Sequence, residues 1–417
     1  MKRIQNLNKI LPFIILTFLL TGCWSQKEID KSAYVIGIGI DKSEQQGKIK
    51  VTYLISNPEV GSTQEGGNTN EPPQEIITIE ANSIIDSRDV ANAVVAKEIT
   101  YDILDVIIVS EELAKEKDFI RWIYDTTKDR EIRRDTKLII TKENASEFIT
   151  RNKPKLETRL HKYFEILLNH TNNIGLVPKS ELHTFFRITE SGADLFLAIY
   201  ATTIKEEHIE RKDDDSLIAG ELKVEGNTNP TQFLGSAVFK NGQMIAKLSA
   251  EETRLSQLLN KAMIKADFLT SFPDPFMKKS MITAKIQQIS QPEVKIDVTK
   301  KPPSIAATIP LEVEILTDHA MINYAKNRDK RDDLKKYLKN RIEEKYVKLI
   351  KRTQDDFKGQ PFGFSLPARK YFLTIPQFEA YDWMHSYPDA DVKVSVDITF
   401  GEFGRQSELP SYGGIRD

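Results

Sequence analysis

The chain has 417 residues, more than one hydrophobic core usually fills, so two or three domains are expected. Its composition, 40% hydrophobic and 29% charged, is that of globular material and excludes a disordered or multi-spanning chain. A formal charge of −2 gives no overall pull toward nucleic acid, and a single cysteine leaves no disulfide and no cysteine-based zinc site.

That cysteine ends the first feature of the chain. Lys2, Arg3 and Lys9 make a basic start, Ile10 to Leu20 is an almost unbroken apolar run, and Leu20-Thr21-Gly22-Cys23 follows. Basic, then apolar for about 7–15 residues, then small side chains is the layout of a secretory signal. The run is well short of the roughly 20 apolar residues that a membrane-spanning helix needs. A cysteine directly after the small pair makes the signal a lipoprotein one. Residues 1–22 are expected to be removed between Gly22 and Cys23, and Cys23 to become an N-palmitoyl, S-diacylglycerol cysteine. The rest of the chain is then extracytoplasmic and tethered to lipid.

Residues 23–205 read as a first α/β region. Ala33 to Asp41 is apolar and β-branched, a buried strand; Gly37-Ile38-Gly39 inside it lacks the third glycine and the helix of a phosphate loop and suits close packing instead. Lys48 to Ser56 and Ile76 to Glu80 continue the sheet around a Gly/Asn/Pro-rich loop, Gly61 to Pro73. Ser83 is positioned to cap a helix through Ala96, and Ser110 another through about Tyr124, after the strand Leu104 to Val109. Asp129 to Arg134 is a dense charged turn before the strand Lys137 to Thr141. Helices over Glu157 to Asn169 and from Ser180 to Ser191-Gly192, then a strand Leu195 to Thr203, complete the region. Strands alternating with helices predict a helix-covered sheet with parallel pairing.

Residues 206–231, with Asp213-Asp214-Asp215, read as a solvated linker; the triplet lacks the spacing of a calcium loop. Residues 232–405 form a second α/β region. It opens on a hairpin, Phe233 to Phe239 and Gln243 to Leu248, turned by Asn241-Gly242. Ser249 to Glu252 has capping-box spacing before a helix with Leu255, Leu258, Leu259 and Ala262 inward. Ser280 to Ile289, Val294 to Thr299 and Ile305 to Leu316 read as meandering strands. A long helix, Arg328 to Arg352, carries Leu334, Leu338, Ile342 and Tyr346 inward, and its mixed-charge outer face reads as solvated, with contact to lipid phosphates as the alternative. Val392 to Phe400 alternates as a strand half-buried against it, and 406–417 is a polar tail. The fold class expected is α/β in the mixed α+β sense, with several mixed sheets packed by helices.

No catalytic constellation emerges. His161, His170, His183, His208, His319 and His385 are scattered, and His161 with Glu165 reads as a surface pair on a helix, not a metal site. There is no Gly-x-Ser-x-Gly, P-loop or His-Glu-x-x-His. The chain is expected to be no enzyme, with no cofactor and no metal. Binding or scaffolding is the favoured role, and an exported solute-binding lipoprotein serving a transporter is the alternative.

Several stretches together resemble one family. Gly22-Cys23-Trp24 with Lys27-Glu28-Ile29, then Gly37-Ile38-Gly39-Ile40-Asp41-Lys42, is similar to the start of the Ger(x)C spore germination lipoproteins. The likeness continues through Asp129 to Asp135, Leu234 to Lys240, Leu248 to Arg254 and Phe362-Gly363-Phe364. The resemblance implies a non-enzymatic C subunit of a nutrient germinant receptor, tethered through Cys23 to the outer face of the spore inner membrane, with membrane-embedded A and B subunits as partners. It also implies mixed sheets in three domains, so that 23–205 can itself hold two.

Overall fold

The computed structural model describes residues 31–56, 74–206, 216–260, 267–317, 319–320 and 322–403. Gly22, Cys23 and the signal segment lie outside these, as do the Asp213–Asp215 triplet and Ala262. Two mixed sheets with their helices make a two-domain α+β protein.

The first sheet is built around β1 (Ser32–Lys42). It pairs antiparallel with β2 (Ile49–Ser56), which pairs antiparallel with β3 (Gln74–Ala81). On its other side run, all parallel, β4 (Glu98–Thr100) and β5 (Val106–Ser110), followed across the sheet by β6 (Lys137–Thr141) and β7 (Phe196–Thr202). The central strands are apolar without alternation because both faces are covered. Ile107, Val109, Leu138 and Ile140 meet one core, and Val106, Ile108 and Ile139 the other.

On the first face lie α1 (Ile84–Ala91), α2 (Glu111–Ala114), α3 (Phe119–Tyr124) and, later in the chain, α6 (Leu182–Ser191). The second face is covered by α4 (Ala145–Arg151) and α5 (Leu160–Asn173). Ser83 caps α1 through a full capping box, but α1 stops at Ala91 rather than Ala96. The helix expected from Ser110 to Tyr124 is two short ones, α2 and α3, and Ser110 makes no cap bond. Nor does Ser180 cap α6: its hydroxyl donates to the Leu138 carbonyl (2.6 Å), tying the loop to β6.

Gly39 shows why glycines stand inside β1. A Cβ there would lie 2.8 Å from Ile149 Cδ1 and 3.2 Å from both Ala145 Cβ and Thr52 Cβ. The strand end supports the same helix, because the Asp41 carboxylate accepts from the Ala145 and Ser146 amides (2.6 and 3.0 Å). The missing side chain lets α4 sit directly on the strand, which is the close packing expected of these glycines.

The hairpin β8 (Gln232–Lys240) and β9 (Gln243–Leu248) turns through Asn241 and Gly242, both at positive φ (51° and 80°) as a type I′ turn requires. It opens the second region in sequence, yet in space it completes the first sheet, because β8 pairs antiparallel with β7. The described part of the expected linker is packed as well. Leu217 and Ala219 are buried, the Ala250 amide donates to the Leu217 carbonyl, and Gln232 Oε1 accepts from the Gly220 amide (2.8 Å). A short apolar run, Leu217-Ile218-Ala219, withdraws this segment from water.

The second sheet centres on β13 (Ser304–Thr317). Its first half pairs with β12 (Glu293–Asp297) and its second half with β11 (Met281–Gln288), which pairs with β10 (Asp267–Pro273). The expected meander is therefore not formed, since a 14-residue strand is long enough to receive both neighbours along one edge. Along the other edge lies β14 (Asp391–Phe400), parallel to it. The long helix α8 (Arg328–Asp355) covers one face through Leu334, Leu338, Ile342 and Tyr346, and Glu343 Oε1 accepts from the Val396 amide (2.9 Å). The alternating Val392–Phe400 strand thus packs where expected.

Between the sheets lies α7 (Ala250–Leu259), capped by Ser249 and Glu252 as the capping-box spacing predicts. All its residues except Glu251 and Glu252 are buried, a wider burial than the single inward face expected.

The packing at Gly39 is directly testable. Gly39→Val should destabilise the protein by about 1–3 kcal/mol through overpacking against α4. Thermal unfolding followed by circular dichroism should show a midpoint lowered by about 2–4 °C per kcal/mol.

Candidate functional site

The parallel register defines two ends of the first sheet. Ser32 pairs with Glu98, Gly37 with Val106, and Val106 with Lys137, so β1, β4, β5 and β6 all start toward one end, β5 and β6 five residues further along β1 than β4. The chain leading from Cys23 enters there. We call this the entry end.

The charged turn Asp129–Asp135, just before β6, closes the entry end. Asp129 and Glu131 point inward. Glu131 Oε2 accepts from Arg88 Nη1 and from the Tyr101 amide (both 3.1 Å), and Asp129 lies 3.5 Å from the same guanidinium. Arg88 also stacks over the Tyr101 ring, 5.0 Å from its centroid. Its arginines point outward. Arg130, Arg133 and Arg134 are exposed, and Arg133 is held by Asp135 (3.0 and 2.5 Å). Among the described residues, Arg130 and Arg134 have no carboxylate within ion-pair distance.

This turn is bonded to the start of α6. Arg134 O accepts the His183 amide (3.0 Å), with His183 Nδ1 also 3.2 Å away, and Thr136 O accepts the Leu182 amide. Between turn and helix is a cleft of about 710 Å³ whose apolar lining is Ile132, Leu182 and Phe186. Its rim carries Lys128, Arg130, Arg133, Arg134 and Arg187 against Asp129 and Glu190, and Asp129 is already turned to Arg88. Lys128 is paired with Asp125 and Arg133 with Asp135, which leaves Arg130, Arg134 and Arg187 to make the cleft cationic on a chain of near-zero net charge.

Across the turn, a second cleft of about 440 Å³ is lined by Asp105, Arg133, Asp135, Lys137, His161 and Glu165. His161 and Glu165, which read as a surface pair, are thus drawn together with Asp105. Burial pushes the Asp105 carboxyl above its ordinary range, against the pull of Arg133, Lys137 and His161. Among the described residues, no group of three or more His, Cys, Asp or Glu side chains is placed to hold a metal ion.

Asp194 marks the junction with the second domain. It lies just before β7 and accepts from Gln360 Nε2 and Ser365 Oγ, bonds that fasten the Phe362-Gly363-Phe364 loop. Gln360 Oε1 accepts in turn from the Phe362 amide (2.7 Å), and Gly363 holds φ at 70°. A lone carboxylate in the apolar run Ala193-Asp194-Leu195 was the sequence signal for this buried latch, whereas nothing in the sequence joined Arg187 and His183 to the charged turn.

Residues 25–202 match the family described as "Spore germination protein N-terminal domain", and residues 234–404 match "Spore germination B3/ GerAC like, C-terminal". The chain belongs to the Ger(x)C family of spore germination proteins. It is 20% identical over 402 residues to the putative spore germination protein YfkR of Bacillus subtilis (strain 168), covering 95% of this chain and 96% of that one. It is 24% identical to spore germination protein KC of the same organism over 139 residues, only 33% of this chain and 34% of KC. The crystal structure of the GerBC protein is similar at 15% identity and TM-score 0.49, covering 90% of this chain and 99% of that one.

The stretches on which the Ger(x)C resemblance rests are joints of this fold. Gly37 to Asp41 seats α4, Asp129 to Asp135 closes the entry end, Leu234 to Lys240 lies in β8 of the hairpin, and Leu248 to Arg254 caps and begins α7. Phe362 to Phe364 sits over the Asp194 latch.

Burial raises the Asp194 carboxyl above the usual 3.8, against the opposing effects of Ser365, Gln360 and Arg187. The folded protein then holds this proton more tightly than the unfolded chain. The group's contribution to stability is full below the unfolded pKa and is lost as pH rises through the folded value. Asp194→Asn should therefore flatten the fall in stability above about pH 4, which denaturant midpoints across a pH series would register.

Proposed function

We propose that this Ger(x)C protein is a lipid-anchored, non-enzymatic subunit of a nutrient germinant receptor, serving its assembly or signalling in spore germination. The observation that carries the reading is positional. The family match begins at residue 25, two residues after Cys23, so the family's N-terminal domain follows directly on the lipobox in sequence. No helix among the described residues is long and apolar enough to cross a membrane, and in this reading the lipid supplies the attachment.

The physics of anchoring suits that role. One acyl chain gives marginal membrane binding, at about 0.8 kcal/mol per buried methylene, so a stable anchor needs two or more. An N-palmitoyl, S-diacylglycerol Cys23 meets that need, with the protein on the extracytoplasmic face of the spore inner membrane. Confinement near the bilayer raises the effective concentration of the domains toward integral A and B subunits, so modest contacts suffice for assembly. The alternative, a solute-binding lipoprotein, works through a hinged cleft between lobes. Here α7 and the Asp194 latch fill the junction, which supports the subunit reading.

Cys23→Ala tests the proposal. The variant should be depleted from spore membranes on fractionation and should slow nutrient-triggered germination, while germination by a non-nutrient trigger proceeds. Full membrane retention with normal germination would overturn it.

A further inference from the structure

We infer that the entry end of the first sheet, through its arginine cleft, is a docking face for an anionic phospholipid surface. The inference rests on the lipid-anchored reading above for its biological setting, but its physical basis is the geometry and charge of this end.

The tether sets the geometry. The eight steps from Cys23 to Lys31 span at most about 28 Å when fully extended. The opposite end of the sheet is the length of β1 away, 11 residues or about 36 Å. A chain held by lipid at Cys23 therefore keeps the entry end within reach of headgroups, while an upright sheet carries its far end away from them.

The charge at that end is the right sign. Arg130, Arg134 and Arg187 project into or around the cleft, exposed and with no ion-pair partner among the described residues. The inward acids Asp129 and Glu131 are spent on Arg88. The long helix α8 is the other basic surface, and its Lys336, Lys348 and Lys351 have no ion-pair partner among the described residues. The cations of α8, however, alternate with Asp329, Asp332, Asp333, Glu343, Glu344 and Asp355, so they form no cluster of one sign. Its Lys345 and Arg352 are consumed by Glu251 and Glu252 of α7, and Lys339 and Arg341 pair with its own Glu343 and Glu344.

An apolar component accompanies the charge. Asp194 precedes β7, whose parallel register with β6 puts its start at the entry end too, and the latch brings Ser365 there. The segment that follows exposes Leu366, Tyr371, Leu373 and Ile375, with Leu373 at 94%. Leu366, next to Ser365, is the exposed apolar side chain that the latch holds near this end, and apolar side chains with cations on one face are the combination that binds an interface.

The test uses the mature chain 23–417 with Cys23→Ser, which has no lipid but contains every described residue. Co-sedimentation is measured with vesicles of equal parts phosphatidylcholine and phosphatidylglycerol, and with phosphatidylcholine alone. Binding should favour the anionic vesicles and weaken at high salt. Arg130→Ala, Arg134→Ala and Arg187→Ala together should lower the partition coefficient on the order of 100-fold, at about fivefold per cation. The same three positions as Lys should retain binding, which separates charge from folding. Lys336→Ala, Lys348→Ala and Lys351→Ala on α8 should leave it unchanged. No preference for anionic vesicles, undiminished binding by the alanine triple, or an equal loss from the α8 triple would overturn the inference, including the case in which the cleft serves an acidic protein instead. Because the probe carries no lipid, this result is independent of whether Cys23 is acylated.

Discussion

The withdrawal of α7 from water on nearly every side makes one body of two sheets. Leu255, Leu258 and Leu259 join the core under α8, while Ala250 belongs to the core of the first sheet. Its polar residues are tied at the same time. Gln257 Nε2 donates to the Val177 carbonyl (2.8 Å), and Tyr346 Oη donates to the Leu255 carbonyl (3.1 Å). Glu252 serves twice, closing the capping box and receiving Arg352 at 2.5 and 2.6 Å. A helix so placed cannot shift without opening both cores.

The same economy governs the first sheet. Five parallel strands need crossovers on both faces, and those crossovers gather their entry loops at one end and their exits at the other. Asp41 and Glu143 stabilise the exit end. Glu143 accepts from Thr202 Oγ1 (2.5 Å) and from the Thr203 amide and hydroxyl (both 2.6 Å). The entry end is arranged differently, with acids folded inward onto Arg88 and arginines left outside. An end that only needed closing would gain nothing from three unpaired guanidinium groups around an open cleft. Their cost is small on an exposed surface, and their sign is fixed.

Much of this was legible in local sequence because the signals were local. The Asn241-Gly242 turn, the Ser249–Glu252 capping box, the Gly39 close approach and the four-residue stripe of α8 each depend on residues near one another in the chain. The errors lie where a distant partner decides. The hairpin's strand partner is β7, some thirty residues upstream across a segment that read as solvent, and β13 receives two neighbours because of its own length. Ser110 and Ser180 had the chemistry of caps, but the strands beside them set where the helices begin.

By itself the sequence determined the mixed α+β class, the absence of familiar catalytic motifs and the family. These rest on composition, on contiguous motifs and on the order of short stretches along the chain. Tertiary structure alone decided that the charged turn, the start of α6 and the start of β1 lie toward one end of a sheet. Strand register, which no local pattern encodes, brings Arg130, Arg134 and Arg187 together around one cleft and sets that cleft on the side from which the chain leads back to Cys23.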